Sequence, residues 1–190
     1  MKKNLSRDLI ISTAFKMIDE KGTDAFSVRK LASILNVQVS SLYNYIDNEY
    51  DLLLEVAMCA AEMYSNYISK TVKGLDREKA AYKAGDAFRD FVVSHKYLYE
   101  LLLDSRWIGD PNFIKVNKKF TEPISFLTFD GIEDIKEIEH IYVAMRVVTH
   151  GFASLDSLGI FDELSIDRTE SYHRLVKSVI DMMNNLENKK

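Results

Sequence analysis

The sequence predicts an all-α fold of about nine helices: a three-helix head followed by a longer helical bundle. Three observations predict it. Only two prolines and seven glycines interrupt 190 residues, too few for a strand-and-turn architecture. Apolar residues recur at steps of three and four along most of the chain. Between Ser27 and Leu53, two short helical patterns flank a tight turn, the layout of a helix-turn-helix.

The first helix is expected from about Leu5 to Lys21. Ile11, Ala14, Phe15 and Ile18 fall at i, i+3, i+4 and i+7 and make one apolar face. Ser6 or Asn4 is placed to cap it, and Asp8 suits its first turn. Gly22 stands where the chain must leave the helix with a left-handed residue. In the second helix Ser27 is the N-cap, and Phe26 with Leu31 forms a hydrophobic staple. Leu31, Ile34 and Leu35 are its buried side, and Ala32 lets another helix cross closely. Asn36, tolerant of positive φ, ends it.

The third helix is short, about Val39 to Tyr45. Leu42 and Ile46 face the core, which leaves Ser40, Ser41, Tyr43, Asn44 and Tyr45 outside. The fourth runs from Glu49 to about Lys70 on the repeat Tyr50, Leu53, Leu54 and Ala57. Lys73-Gly74-Leu75-Asp76 is a turn in which Asp76 caps the next helix. Further helices are expected at about Arg77–Ser94, His95–Leu103 and Asn112–Thr128, with breaks at Gly109-Asp110-Pro111 and Asp130-Gly131.

Two long seams close the chain. Ile138, Ile141, Met145, Val148, Phe152 and Leu155 alternate steps of three and four, as do Tyr172, Leu175, Val179, Met182 and Leu186. Val176 and Met183 widen the second stripe, and a helix with more than one apolar face needs more than one neighbour. A dimer interface built from Ile141, Val148, Phe152, Leu155, Tyr172, Leu175, Val176, Val179 and Met183 meets that need. The alternative is that the same residues complete the core of one protomer.

Composition narrows the class. An apolar content of 47% with 28% charged residues is ordinary for a soluble globular protein. The single cysteine, Cys59, excludes an internal disulfide, fits a reducing cytoplasmic compartment, and reads as a small buried apolar residue. No signal peptide is expected, because Arg7 and Asp8 interrupt the basic start before any apolar core. No uncharged apolar run approaches a membrane span. The net charge of −4 is unevenly placed: residues 1–35 carry +3 and the remainder −7. A basic head on an acidic body suits a protein that offers one end to phosphate.

The apolar face of the first helix, Gly22, Ser27-Val28-Arg29-Lys30-Leu31-Ala32, Val37, Leu42-Tyr43-Asn44-Tyr45-Ile46, Asn48 and Leu52-Leu53 agree in identity and spacing with one pattern. They resemble the DNA-binding domain of the tetracycline-repressor (TetR) family of bacterial transcriptional regulators. The resemblance implies a helix-turn-helix DNA-binding domain over 1–48 and a ligand-binding and dimerisation domain over 49–190. It further implies a homodimer joined near the C-terminus and repression of a nearby gene, relieved by a small molecule. Arg146 to Phe152, with Leu155, Gly159 and Phe161, resembles less specifically a ligand-domain subgroup with a Trp-His-Gly signature, Thr149 replacing the tryptophan. Asn36 stands where many relatives have glycine. Glu49 stands where relatives usually carry a lysine that reaches a phosphate, and a carboxylate there repels the DNA backbone.

The expected chemistry follows from the side chains. Ser40, Ser41 and Asn44 offer donors and acceptors to base edges, and asparagine pairs well with adenine. Val39 suits a thymine methyl, and Tyr43 and Tyr45 suit phosphates. Ser27 and the first amides of the second helix form another anion site, with Lys30 beside it. Arg29 is either a guanine contact or a phosphate-facing or solvated arginine. Met63, Phe88, Phe91, Trp107, Tyr142 and Met145 either line a cavity for a small apolar or aromatic effector or pack as core. His150 either bonds that effector or is a satisfied core histidine.

No catalytic site, metal or cofactor is expected. His95, His140, His150 and His173 lie on separate segments, and no His-Glu-x-x-His, Cys-x-x-Cys or glycine-rich phosphate loop occurs. The sequence therefore reads as a regulator that binds a near-palindromic double-stranded DNA operator as a homodimer, most readily as a repressor. The alternative is an adaptor that keeps the helix-turn-helix shape but binds a protein.

Overall fold

The computed structural model describes residues 5–107, 109–118 and 134–187. Among the described residues all secondary structure is helical. The α-helices are α1 (Arg7–Lys21), α2 (Val28–Leu35), α3 (Val39–Leu42), α4 (Glu49–Val72), α5 (Arg77–Ser94), α6 (Lys96–Leu102), α7 (residues 111–118), α8 (Ile135–Ser157) and α9 (Arg168–Glu187). A 3₁₀ turn occupies Ser105–Trp107. The rest of the helix expected to residue 128, and the break at Asp130-Gly131, lie outside the described residues. The chain forms two compact units. One takes residues up to Met63 and the segment from His95 through α7; the other takes Tyr64–Ser94 and the chain from α8 onward.

In the first unit α1 packs against both α2 and α6. Ser6 caps α1, accepting a hydrogen bond from the Leu9 amide at 3.2 Å. The buried stripe is Ile10, Ala14 and Ile18, while Ile11 and Phe15 are half-buried. The face is thus turned by one residue from the expected one, because Ile10 and Ile11 are both apolar and only the first shares the i, i+4, i+8 line with Ala14 and Ile18. On α2 the buried residues are Val28, Leu31 and Ala32, with Leu35 half-buried. Ile34, expected inside, falls off that stripe and is 60% exposed. Cys59 also departs from expectation. It is exposed on α4, whose buried line runs through Val56, Ala57, Ala60 and Ala61.

The α6 end of this unit is fixed by polar and aromatic contacts. His95 Nδ1 faces the Asp19 carboxylate at 2.9 Å. Trp107 is fully buried; its Nε1 donates to the Leu101 carbonyl at 2.7 Å and its ring meets that of Tyr50 edge-on. The Tyr50 hydroxyl donates to Asp110.

In the second unit α5, α8 and α9 pack pairwise against one another. Ala81, Phe152, Tyr172, Val176 and Ile180 form one core cluster, and Ile141, Met145, Val179 and Met183 form another. Val148 borders both. A buried carboxylate ties the three helices together. Asp156 accepts from Arg89 Nε of α5 at 2.5 Å and from Arg168 Nη1 of α9 at 3.1 Å. Both donors are charged and aimed at a side chain that is only 3% exposed, so the pair is compensated at both oxygens. Among the described residues no helix is long and apolar enough to cross a membrane.

One glycine is required by the first unit. Gly22 ends α1 at φ 77° and ψ 171°, a region nearly closed to other residues, and a Cβ there would lie 2.9 Å from the Tyr97 ring. Gly22→Ala should therefore lower stability by about 1–3 kcal/mol. Urea unfolding measures this, and an unchanged midpoint would contradict the packing described.

Candidate nucleic-acid interface

The helix-turn-helix is set by single-residue stereochemistry. Ser27 Oγ accepts from the Lys30 amide at 3.3 Å and starts α2. Asn36 ends it in the left-handed conformation, φ 55° and ψ 47°. Asn36 and Val37 then donate their amides to the carbonyls of Ser33 and Ala32 at 3.1 and 3.0 Å, satisfying the end of α2. The chain is thereby turned into α3 within three residues.

α3 is shorter than expected. It is helical only over Val39–Leu42 and continues as a turn through Tyr45. Leu42 accepts the amides of both Tyr45 and Ile46, at 2.8 and 3.1 Å, which folds that turn back on itself. Leu42 and Ile46 are buried, at 0% and 3% exposure. Their inward direction turns Tyr43, Asn44 and Tyr45 out to solvent, together with Ser40; Val39 and Ser41 are half-buried. Gln38, which sequence reasoning passed over, is exposed at the start of α3 with an amide able to pair bidentately with a base. Its only signal was its place just before the helix.

On α2, Arg29 and Lys30 are exposed, and Ser27 is half-buried with its hydroxyl engaged in the cap. Lys30 Nζ donates to the Ala25 carbonyl at 2.7 Å, a bond to a neutral acceptor on the surface. Glu49 is exposed in the first turn of α4. It suits the positive end of that helix but opposes an approaching phosphate.

Of the effector candidates, Phe88, Phe91 and His150 are linked through ring contacts. Phe88 and Phe91 both meet the fully buried Tyr64 edge-on, and Phe88 meets the His150 ring at 4.8 Å between centroids. Met145 belongs to the core cluster with Ile141, and half-buried Tyr142 lies under the Arg146 guanidinium, which bonds its hydroxyl at 2.8 Å. Trp107 and Met63 belong to the other unit. Thr149 is buried and donates to the Met145 carbonyl at 2.8 Å. Among the described residues the buried Tyr172 hydroxyl has no hydrogen-bond partner. No group of three His, Cys, Asp or Glu is placed to hold a metal among the described residues.

Of the nine seam residues, Ile141, Phe152, Tyr172, Val176, Val179 and Met183 are buried inside the protomer's own core. Val148 is half-buried, and only Leu155 and Leu175 are exposed. The reason is that α9 meets both α5 and α8, so its wide apolar stripe has two neighbours within one chain. A second apolar line remains on the surface. On α8 it is Val143, Val147 and Leu155, continued by Leu158 just past the helix end, and on α9 Leu175 and Met182.

Two short helices that project a polar, tyrosine-bearing tip, on a chain whose helices α5, α8 and α9 form a bundle, define a helix-turn-helix protein. Comparison with known proteins gives the family. The model for bacterial regulatory proteins of the tetR family matches residues 10–56, and that for the tetracyclin repressor-like C-terminal domain matches residues 82–179. The chain belongs to the TetR family of bacterial transcriptional regulators. It is 25% identical over 86% of its length to an uncharacterised HTH-type transcriptional regulator of Mycobacterium tuberculosis, of which it covers 75%. It is 24% identical over 83% of its length to the uncharacterised HTH-type regulator YobS of Bacillus subtilis, of which it covers 82%. Its fold is similar to that of a TetR regulator from Streptomyces coelicolor, with TM-score 0.75, 15% identity and coverage of 96% and 99% of the two chains. It is also similar to a TetR variant of Acinetobacter baumannii in complex with minocycline, with TM-score 0.67, 20% identity and coverage of 97% and 99%.

Burial, and after it the nearby Arg146 charge, pull His150 down from its ordinary 6.5 to about 4, so its ring is neutral near pH 7. Above pH 6.5 the folded and unfolded chains hold it in the same state. As pH falls from 6.5 towards 4 the unfolded chain takes up a proton that the folded one refuses, so stability is lost across that window. His150→Gln should flatten this part of the stability–pH curve, read from urea unfolding at pH 7 and pH 4.5. An equal loss in both proteins would contradict the burial.

Proposed function

We propose that the chain represses transcription by binding a near-palindromic operator as a homodimer, and that a small apolar or aromatic effector releases it. The observation that carries the DNA contact is the exposed Tyr43-Asn44-Tyr45 tip held by buried Leu42 and Ile46. In this reading Ser40, Ser41, Asn44 and Gln38 meet base edges and Val39 meets a thymine methyl. Tyr43 and Tyr45 reach phosphates. Ser27 and the α2 amides, with Arg29 and Lys30, add backbone contacts. Such a protein acts in the cytoplasm, where its operator is.

One tip reads only a few base pairs, so specificity calls for two, about one helical turn or roughly 34 Å apart. The surface line on α8 and α9 supports the dimer. Val147 is 66% exposed and Val143 58%, more apolar surface than one protomer gains by showing. Gly151 lies on the same line, between Val147 and Leu155, and a Cβ there meets nothing within 4 Å among the described residues. Glycine inside a helix costs about 1 kcal/mol against alanine, and the described residues give no packing reason for it. Close approach of a second α8 at that point supplies one. For the effector, the support is the buried Tyr172 hydroxyl with the Tyr64, Phe88 and His150 side chains in the same unit. An effector that changes the separation of the tips, at a coupling of about 1–3 kcal/mol, would lower operator affinity some five- to 150-fold.

Binding to a duplex spanning the DNA upstream of the chain's own gene tests the reading. Affinity should fall steeply with salt, and Asn44→Ala should weaken it about five- to 150-fold, the cost of about 1–3 kcal/mol for a lost base contact. Absence of DNA binding together with salt-insensitive capture of a protein would replace the repressor by the adaptor. Val147→Glu should give monomers in light scattering and lose operator binding, while protomer stability stays within about 0.5 kcal/mol, as for other surface changes. A dimer that survives this change would remove α8 from the interface.

A further inference from the structure

We infer that Arg7 is a positioning residue for the DNA-reading tip, acting as a cross-tie between α1, the end of the tip and α4 rather than as a phosphate contact. This rests on the DNA-binding reading above. Arg7 Nη1 donates to the carbonyl of Tyr45 at 2.5 Å, and Nη2 pairs with the Glu55 carboxylate on α4. One planar guanidinium thus holds the last residue of the tip to a neighbouring helix through two acceptors, a geometry that needs a fork and not a point charge. Its place in the sequence points the same way. Arg7 is the first residue of α1, where a cation opposes the helix dipole. Glu55 and the Tyr45 carbonyl supply the compensation that the local position lacks.

The tip gains most from such a tie. α3 is only four residues long, and Leu42 at its end with Ile46 beyond it are the side chains that seat the segment. The backbone at Tyr45 sits between two side chains assigned to DNA and the buried Ile46. Fixing its carbonyl fixes the direction of the Tyr43-Asn44-Tyr45 surface. With its charge committed to Glu55, Arg7 contributes little to the head's attraction for phosphate, although it is 50% exposed.

The test compares Arg7→Gln, Arg7→Lys and Glu55→Ala with the unaltered protein on the upstream duplex, over a salt series. Arg7→Gln and Glu55→Ala should each weaken binding about tenfold with the salt slope unchanged, and Arg7→Lys should fail to restore affinity. A slope reduced by about one in Arg7→Gln, rescue by lysine and tighter binding in Glu55→Ala would make Arg7 a phosphate contact instead. Unaltered affinity in all three would remove any positioning role. Hydrogen exchange in the free protein separates this inference from the DNA reading. The Tyr45 and Ile46 amides should exchange faster in Arg7→Gln and Glu55→Ala, while the buried amides of α4 keep their protection. Unchanged exchange at Tyr45 and Ile46 overturns the cross-tie even if the protein ignores DNA.

Discussion

The seating of Leu42 and Ile46 is the constraint on which the rest depends. A helix of four residues cannot persist on its own hydrogen bonds, because nucleation costs more than so few bonds return. α3 exists because these two side chains are sealed into the head. Full burial of each contributes roughly 1.5–3 kcal/mol. Their inward direction leaves Tyr43, Asn44 and Tyr45 no place but the surface. Asn36 makes the same seating possible from the other side, since its left-handed backbone turns the chain from α2 into α3 without an intervening loop.

The second unit divides its apolar residues differently. α9 packs against both α5 and α8, so the inner line through Tyr172, Val176, Val179 and Met183 is consumed within one chain. Asp156 of α8 pairs with Arg89 of α5 and Arg168 of α9 and so joins three helices through one buried carboxylate. What remains outside is a second apolar line on α8 and α9, interrupted by Gly151. The two lines have different fates because one faces neighbours in the same chain and the other faces solvent. In the proposed dimer the outer line finds its neighbour in a second copy.

Much of the head was legible in the sequence because single residues fix it. Ser27 as a cap, Gly22 at positive φ and Asn36 in the left-handed turn each follow from local stereochemistry, and the structure has all three. Faces were less legible where apolar residues adjoin. Ile10 and Ile11 differ by one step, and only packing on α2 and α6 decides which is buried. Ile34 looked like core because it is apolar, yet the stripe through Val28, Leu31 and Ala32 leaves it outside. The bundle was harder still. Periodicity finds an apolar stripe but does not say whether its neighbour is another helix of the same chain or of a second copy. Arg7 with Glu55 spans 48 residues of sequence, and no periodicity or motif connects them. Gln38 lacked even a helix assignment to draw attention to it.

Selection of duplexes from a random pool by the purified protein tests the central claim most directly. A near-palindrome whose half-sites lie about one helical turn apart, each only a few base pairs long, should be enriched. Recovery of no common sequence, or of a lone asymmetric site occupied by one protomer, would contradict it.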